Sequence, residues 1–444
     1  MLADAYRVLL REPWLAFSRW LTVRSLERRL RVAPAPLAYV PEGAGLLYVA
    51  ASALPYHTSG YTIRTHEIIR ALILAGGRVH SLTRSGYPGD RLDRSCDARS
   101  NETKVGEVCY LHVAKPANNR PVILYGLQAA PVIAAVAARH RVAVIHAASN
   151  HVNALPALLA ARQLGIPFQY EMRGLWELTR VSRQPDFDGS QTYKQGLQLE
   201  NLVARHADRL FVISGQLGRY VAEHWGIPAE RIALLPNCVD PDRFAVAAPG
   251  EVEACSIGYA GSLIGYEGLD TLIEALARLK ESGVAVRVRI VGDGEARSSL
   301  ESLVRRLEVE DCVQFMGRQT PDVAREVIRR CAVVCLPRKP YEVCRVVPPI
   351  KLVEALAMGK SVIVPDLPVF REELGENPAG WFFRAGDSAD LAKVLGAALG
   401  NLDILRALGA RAREYAVSQR CWSKFVGNML PVVQGGRGSG GTEP

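Results

Sequence analysis

The sequence has no Cys-x-x-Cys pair, although nine cysteines are spread through its 444 residues. Cys96, Cys109, Cys238, Cys255, Cys312, Cys331, Cys335, Cys344 and Cys421 are scattered and odd in number. That pattern excludes a disulfide framework and a zinc site, and it reads as reduced thiols in a cytosolic protein. Residues 1–33 lack an apolar core followed by a small-residue cleavage site, so no secretory leader is expected. No stretch has the character of a nucleic-acid module. A phosphate-binding P-loop is missing too: Gly359-Lys360-Ser361 has its tail, but Glu354 stands where its first glycine belongs. Long uncharged runs are scarce. Only Pro121–Ala138 reaches the length of a membrane span, and Gly126, Gln128 and Pro131 interrupt it. It is expected as a strand plus a buried helix.

What is present suffices for two cores, since 49% of the residues are apolar. Apolar runs alternate with helical patterns along the chain, which predicts βαβ units and parallel sheets. The net charge of +9 favours an anionic partner, whether a nucleotide sugar, an acidic glycan or a phospholipid face. Part of that charge sits at the front. Arg7, Arg11, Arg19, Arg24, Arg28, Arg29 and Arg31 oppose only Asp4, Glu12 and Glu27, with Trp14, Phe17, Trp20 and Leu21 interleaved and Pro13 set to start a helix. Arginine with tryptophan suits a helix lying on an anionic membrane. A helix docked on the protein itself is the other reading: Trp14, Phe17 and Leu21 align, whereas Leu26 and Leu30 turn away.

The rest of the chain reads as two similar halves. In the first, strands are expected at Leu46–Ala50, Arg78–Thr83, Val142–His146, Phe168–Glu171 and Arg209–Ser214, with helices at Thr62–Ala75, Asn153–Leu164 and Tyr193–Ala207. In the second, strands fall at Ser256–Ala260, Val286–Val291, Val313–Gly317, Val333–Pro337 and Ser361–Val364. Leu269–Glu281 and a segment ending near Arg306 are helical. Ala389–Arg413 and Tyr415–Val426 are expected as two late helices. Ligands of such doubly wound halves gather at the carboxyl ends of the strands. The expected divisions are a helical arm at 1–40, a first Rossmann-like domain at 41–240 and a second at 241–413. A terminal helix at 414–434 crosses back to the first domain, and a disordered Gly/Ser-rich tail covers 435–444.

The segment 337–366 is the most specific. Pro348-Pro349 opens a helix carrying Lys351 and Glu354, Met358-Gly359 closes it, and a buried strand follows. Proline suits a helix start and glycine a left-handed stop. An anion fits the N–H end of such a helix, with Lys351 adding charge and Glu354 one turn in to accept from a diol. An ordinary αβ crossover is the plain alternative. The half Pro-Pro-Ile-Lys-Leu-Val-Glu-Ala-Leu-Ala-Met-Gly-Lys resembles the donor loop of retaining family-4 glycosyltransferases, which have the GT-B fold. Other pieces keep the family's order over about residues 45–425: the Gly60 loop, Leu164-Gly165-Ile166-Pro167, Ile213-Ser214, Pro236-Asn237-Cys238-Val239-Asp240, Gly258-Tyr259-Ala260-Gly261-Ser262 and Val291-Gly292-Asp293-Gly294.

This resemblance implies two Rossmann-like domains facing across a cleft, and a retaining transfer from a nucleotide-diphosphate sugar with neither metal nor cofactor. The acceptor would be a glycan or lipid-linked sugar in bacterial-type surface polysaccharide synthesis, and the enzyme would be cytoplasmic, at most peripheral on the membrane. It implies catalytic roles for Glu354, Lys351, Arg173 and His146. Donor contacts would come from Gly60, Gly261, Ser262, Gly292, Asp293, Arg338, Glu342, Arg345, Pro349 and Ile350, and acceptor contacts from Tyr61, Glu171, Trp176 and His151. His151 is read either as standing in for the second histidine of a His-x-His pair, where Ala148 is found, or as a surface residue. Glu171-Met172-Arg173 is read either as site or as a Glu–Arg pair supporting a loop. Two positions depart from the family: Val346 replaces the first motif glutamate, and Glu267 replaces a loop lysine. These departures keep open a non-catalytic GT-B partner that binds glycan or a second transferase.

Overall fold

The structure is a computed structural model describing residues 12–31, 39–91, 100–376 and 378–431. Asp4, Arg7, Arg11, Cys96 and the tail from Gly435 lie outside the described residues. Contacts divide the chain into two compact units. Unit 1 holds the chain up to Glu171, Gln198–Leu210 and the chain from Phe425; unit 2 holds Met172–Leu197 and Phe211–Lys424.

The strands are β1 (Leu46–Ala50), β2 (Val79–Thr83), β3 (Glu102–Val105), β4 (Val108–Leu111), β5 (Val144–Ala148), β6 (Phe168–Met172), β7 (Arg209–Val212), β8 (Ile232–Leu234), β9 (Glu253–Ala260), β10 (Arg287–Val291), β11 (Val313–Gly317), β12 (Cys331–Cys335), β13 (Ser361–Pro365) and β14 (Gly380–Phe383). One sheet has the order β3-β4-β2-β1-β5-β6-β7-β8, the other β11-β10-β9-β12-β13-β14. In the second, every pairing is parallel. The order reverses between β9 and β12, the point where a doubly wound sheet opens a crevice for ligands. In the first sheet β1 stands between β2 and β5, parallel to both. β12 (CAVVC) and β13 (SVIVP) are buried at every position, as expected of parallel strands covered on both faces.

Several elements differ from the sequence reading, each for a local reason. Val122–Arg139 is one helix without a preceding strand; its alanines bury against the helix His151–Leu164, and by length and composition alone it could cross a membrane. β3 and β4, four residues each and unforeseen because such short runs give little strand signal, form an antiparallel hairpin around Gly106-Glu107, with Gly106 at φ +55°. The late helices run Ser388–Leu399 and Leu402–Gln419, parted at Gly400-Asn401, where the Asn401 side chain caps the second by accepting from Ile404 N. The expected helix Tyr415–Val426 is therefore broken: its first part ends that long helix, and only Ser423–Val426 stands separately. Beyond it, the Met429 carbonyl accepts from Gln169 Nε2 at 3.0 Å inside unit 1.

Candidate functional site

The carboxyl ends of β9 and β12 meet in unit 2 around one buried carboxylate. Glu267, in the loop after β9, accepts from Arg338 Nη2 at 2.9 Å and from Lys351 Nζ at 2.7 Å. Lys351 Nζ also donates to the Tyr259 hydroxyl at 2.8 Å and lies 4.5 Å from that ring's centre. Burial alone would push the Glu267 carboxyl up, but Arg338 and Lys351 outweigh it and hold it at about 2. Burial lowers Lys351. Arg338 is raised: burial opposes this, and the Glu267 charge more than offsets it. Two cations thus share one carboxylate at the switch point, with the Glu354 carboxylate one helical turn from Lys351 adding its own field.

Glycines let the backbone close over this cluster. A Cβ at Gly261 would lie 2.7 Å from Lys351 Nζ, one at Gly292 (φ +137°) 1.8 Å from the Gly261 carbonyl oxygen, and one at Gly294 2.3 Å from that of Leu263. Backbone bonds lock the turn: Gly261 N donates to Val291 O at 2.9 Å and Leu263 N to Asp293 O at 3.1 Å. The Asp293 carboxylate accepts from Gly294 N, so it serves the turn, and exposed Ser262 uses its carbonyl to accept from Tyr259.

The segment ahead of the helix Ile350–Ala357 is held by three side chains on three successive carbonyls. Ser214 Oγ donates to Val346 O at 2.5 Å, Arg338 Nη1 to Val347 O at 2.8 Å, and Asn237 Nδ2 to Pro348 O at 3.0 Å. Pro349 then begins the helix with no side-chain cap. In its first turn, Leu352 N donates to the Pro349 carbonyl at 3.1 Å. The ending is as expected, with Gly359 at φ +66°. Ser214 and Asn237 were legible only as parts of motifs; their work on this loop was not. Glu342 and Arg345 are exposed on the short helix Glu342–Val346. Arg345 lines a cavity of about 530 Å³ with Pro340, Leu367, Arg371, Phe382 and Arg384. Arg173 is buried, whereas Trp176 is 70% exposed at the start of its helix. Among the described residues, no three histidine, cysteine, aspartate or glutamate side chains are grouped to hold a metal.

Unit 1 places its candidates differently. β5 runs on through Ala147 and Ala148, which pair with Tyr170 and Glu171. His146 is consequently in mid-strand, not at the strand end, and is fully buried. Its Nδ1 lies 3.1 Å from Gln169 Oε1 and its Nε2 3.5 Å from Glu171 Oε2. Glu171 also pairs with Arg64 at 2.9 Å and accepts from Tyr48 at 2.7 Å. His151 is buried as well, which removes the surface reading: Nδ1 lies 2.9 Å from Glu200, which also accepts from His151 N. Gly60 is the first residue of the helix Gly60–Leu74, because Ser59 and Thr62 form a capping box around it. Tyr61 accepts from Ala51 N at 3.0 Å, tying that helix to the loop after β1.

Two family models match in tandem. Residues 59–238 match the glycosyl transferase 4-like domain, and residues 251–415 match glycosyl transferases group 1. The chain belongs to this family of glycosyltransferases and has the GT-B fold. A phosphatidyl-myo-inositol mannosyltransferase of Mycobacterium leprae is 32% identical over 211 residues, covering 43% of this chain and 53% of the relative. An amylovoran biosynthesis glycosyltransferase, AmsK, of Erwinia amylovora is 26% identical over 172 residues, 38% of this chain and 42% of the relative. The chain spans about half the length of the curated relatives it matches. HepE from Anabaena in complex with UDP superposes with a TM-score of 0.65 over 87% of this chain and 98% of its own, at 17% identity, which speaks to the fold alone.

Proposed function

We propose that this chain transfers a sugar, with retention of configuration and without a metal, from a nucleotide-diphosphate sugar to a hydroxyl of a glycan or lipid-linked acceptor in surface polysaccharide synthesis. The observation that carries this reading is the tied-off loop 346–348 leading to the start of the helix Ile350–Ala357, which no side chain caps. In this reading the diphosphate lies at that end beside Lys351 and Arg338, and Glu354 accepts from the ribose diol. Gly261 and Gly292 let the backbone turn close tightly beside that place. Stabilising the departing diphosphate and positioning the acceptor hydroxyl then supply the catalysis. The UDP bound by HepE and the lipid-linked and polysaccharide activities named for the relatives support it. Free thiols at Cys238, Cys312, Cys331, Cys335 and Cys344 suit a cytoplasmic enzyme.

A second reading, a non-catalytic GT-B partner, is favoured by two observations: Glu267 already pairs with both Arg338 and Lys351, and Val346 offers no carboxylate. Nucleoside diphosphate release from a panel of nucleotide sugars, with lipid-linked and free glycan acceptors, separates the two. Acceptor-dependent release supports transfer; donor binding without release with any acceptor supports the partner.

A further inference from the structure

The helix Glu12–Arg31 packs on the helix Val122–Arg139 with its polarity reversed. Residues four apart form the inward stripe: Ser18 (4% exposed), Thr22 (0%), Leu26 (1%) and Leu30 (9%). Half of that stripe is hydroxyl. Thr22 donates back to the Ser18 carbonyl at 2.7 Å, and the Ser18 hydroxyl is buried with no partner. The large apolar side chains point the other way: Trp14 is 56% exposed, Phe17 53%, Trp20 48% and Leu21 39%. A helix held only by burying apolar area would have turned these residues inward.

The outward residues are ordered along the axis. At about 100° per residue, Trp14, Phe17, Trp20 and Leu21 share one arc of about 120° with Arg24, Arg28 and Arg31, aromatics first and arginines after. The three rings form a continuous ridge, with Trp14–Phe17 centroids 6.3 Å apart and Phe17–Trp20 centroids 6.0 Å apart. The Arg24 guanidinium lies 5.5 Å from the Trp20 ring centre and joins the two parts.

We propose that this face seats on an anionic lipid bilayer, with the aromatic ridge at the level of the headgroups and the arginines on their phosphates. The charge decides the occupant. Arg19, Arg24, Arg28, Arg29 and Arg31 stand against Glu12 and Glu27 in this helix. A second copy of the chain on the same face would bring two rows of arginine together. A bilayer accepts both halves of the face: tryptophan has an apolar body and a polar edge suited to the interface, and arginine meets lipid phosphate. The proposal does not depend on the donor chemistry.

The test uses the full chain with sedimented vesicles of phosphatidylglycerol and phosphatidylcholine in about a one-to-three ratio, and with phosphatidylcholine alone. The wild type is expected to sediment with the anionic vesicles, with a blue shift of indole emission, and to lose binding as salt rises. Combined Trp14→Ser, Phe17→Ser and Trp20→Ser should cut the bound fraction about tenfold or more. Combined Arg24→Gln, Arg28→Gln and Arg31→Gln should weaken binding and flatten its salt dependence. All six side chains are exposed, so both variants should melt as the wild type does. Wild-type binding to neither vesicle, undiminished binding by the serine variant, or a concentration-dependent dimer that the serine changes disperse would overturn the proposal.

Discussion

Glu267 Oε2 accepts from Lys351 Nζ at 2.7 Å across 84 positions of sequence, and its other oxygen accepts from Arg338. A carboxylate thus stands where the family resemblance led us to expect a lysine. Lys351 and Arg338 are not loose; Glu267 holds both.

Removing that charge leaves two buried cations facing each other. Glu267→Gln should destabilise the protein by about 3–5 kcal/mol, the usual cost of breaking a buried pair. Urea unfolding measures it; a loss below about 1 kcal/mol would mean that Arg338 and Lys351 find other partners.

The same residue predicts part of the acid response. Its carboxyl titrates at about 2 in the folded chain against an ordinary 4.5. Because the folded value is the lower one, this stabilisation is complete above about pH 5 and is lost as pH falls through 4.5 towards 2. The loss is on the order of 3 kcal/mol. Stability measured between pH 6 and pH 3 should fall less steeply in Glu267→Gln than in the wild type; parallel curves would contradict this.

Backbone crowding predicts a third result. At Gly292 an added Cβ would lie 1.8 Å from the Gly261 carbonyl oxygen. Gly292→Ala should therefore cost on the order of 3 kcal/mol, against a few tenths for an open surface position. Gly283→Ala is the matched control: its φ is also positive, at +75°, but nothing lies within 4 Å of the new methyl. If the two variants melt alike, crowding is not what requires glycine at 292.

The loop carbonyls predict a fourth. Asn237→Ala removes the donor to Pro348 O and should cost about 1–3 kcal/mol of stability, with a matching loss of donor affinity because the helix start is no longer held. Calorimetric titration of a nucleoside diphosphate reads the affinity. Lost stability with unchanged affinity would separate the loop from the donor.

Much of the fold was legible because strong punctuation marks it. Pro348-Pro349 and Met358-Gly359 bracket the helix Ile350–Ala357, and the largely apolar runs of β12 and β13 read as buried strands, β12 beginning two residues earlier than expected. Residues whose roles depend on distant partners were not legible. Glu267 looked like a defect in a motif, since its partners lie 71 and 84 positions away. His146 looked like a strand end because Ala147 and Ala148 carry no strand signal of their own, yet their backbone continues the ladder to β6. Ser214 and Asn237 were visible as family pieces without a physical task, which only the carbonyls of 346 and 348 supply.

The most direct test is the melting temperature of the purified chain against a panel of nucleoside diphosphates and their sugars, for wild type and Glu354→Gln. A ligand at about 100 times its dissociation constant adds about 2.7 kcal/mol to stability. A rise selective for one base, weakened in Glu354→Gln by the equivalent of about 1–3 kcal/mol of binding, is the result predicted for a ribose held by that carboxylate. No rise with any nucleotide, or a rise that Glu354→Gln leaves unchanged, would contradict a donor site at this helix.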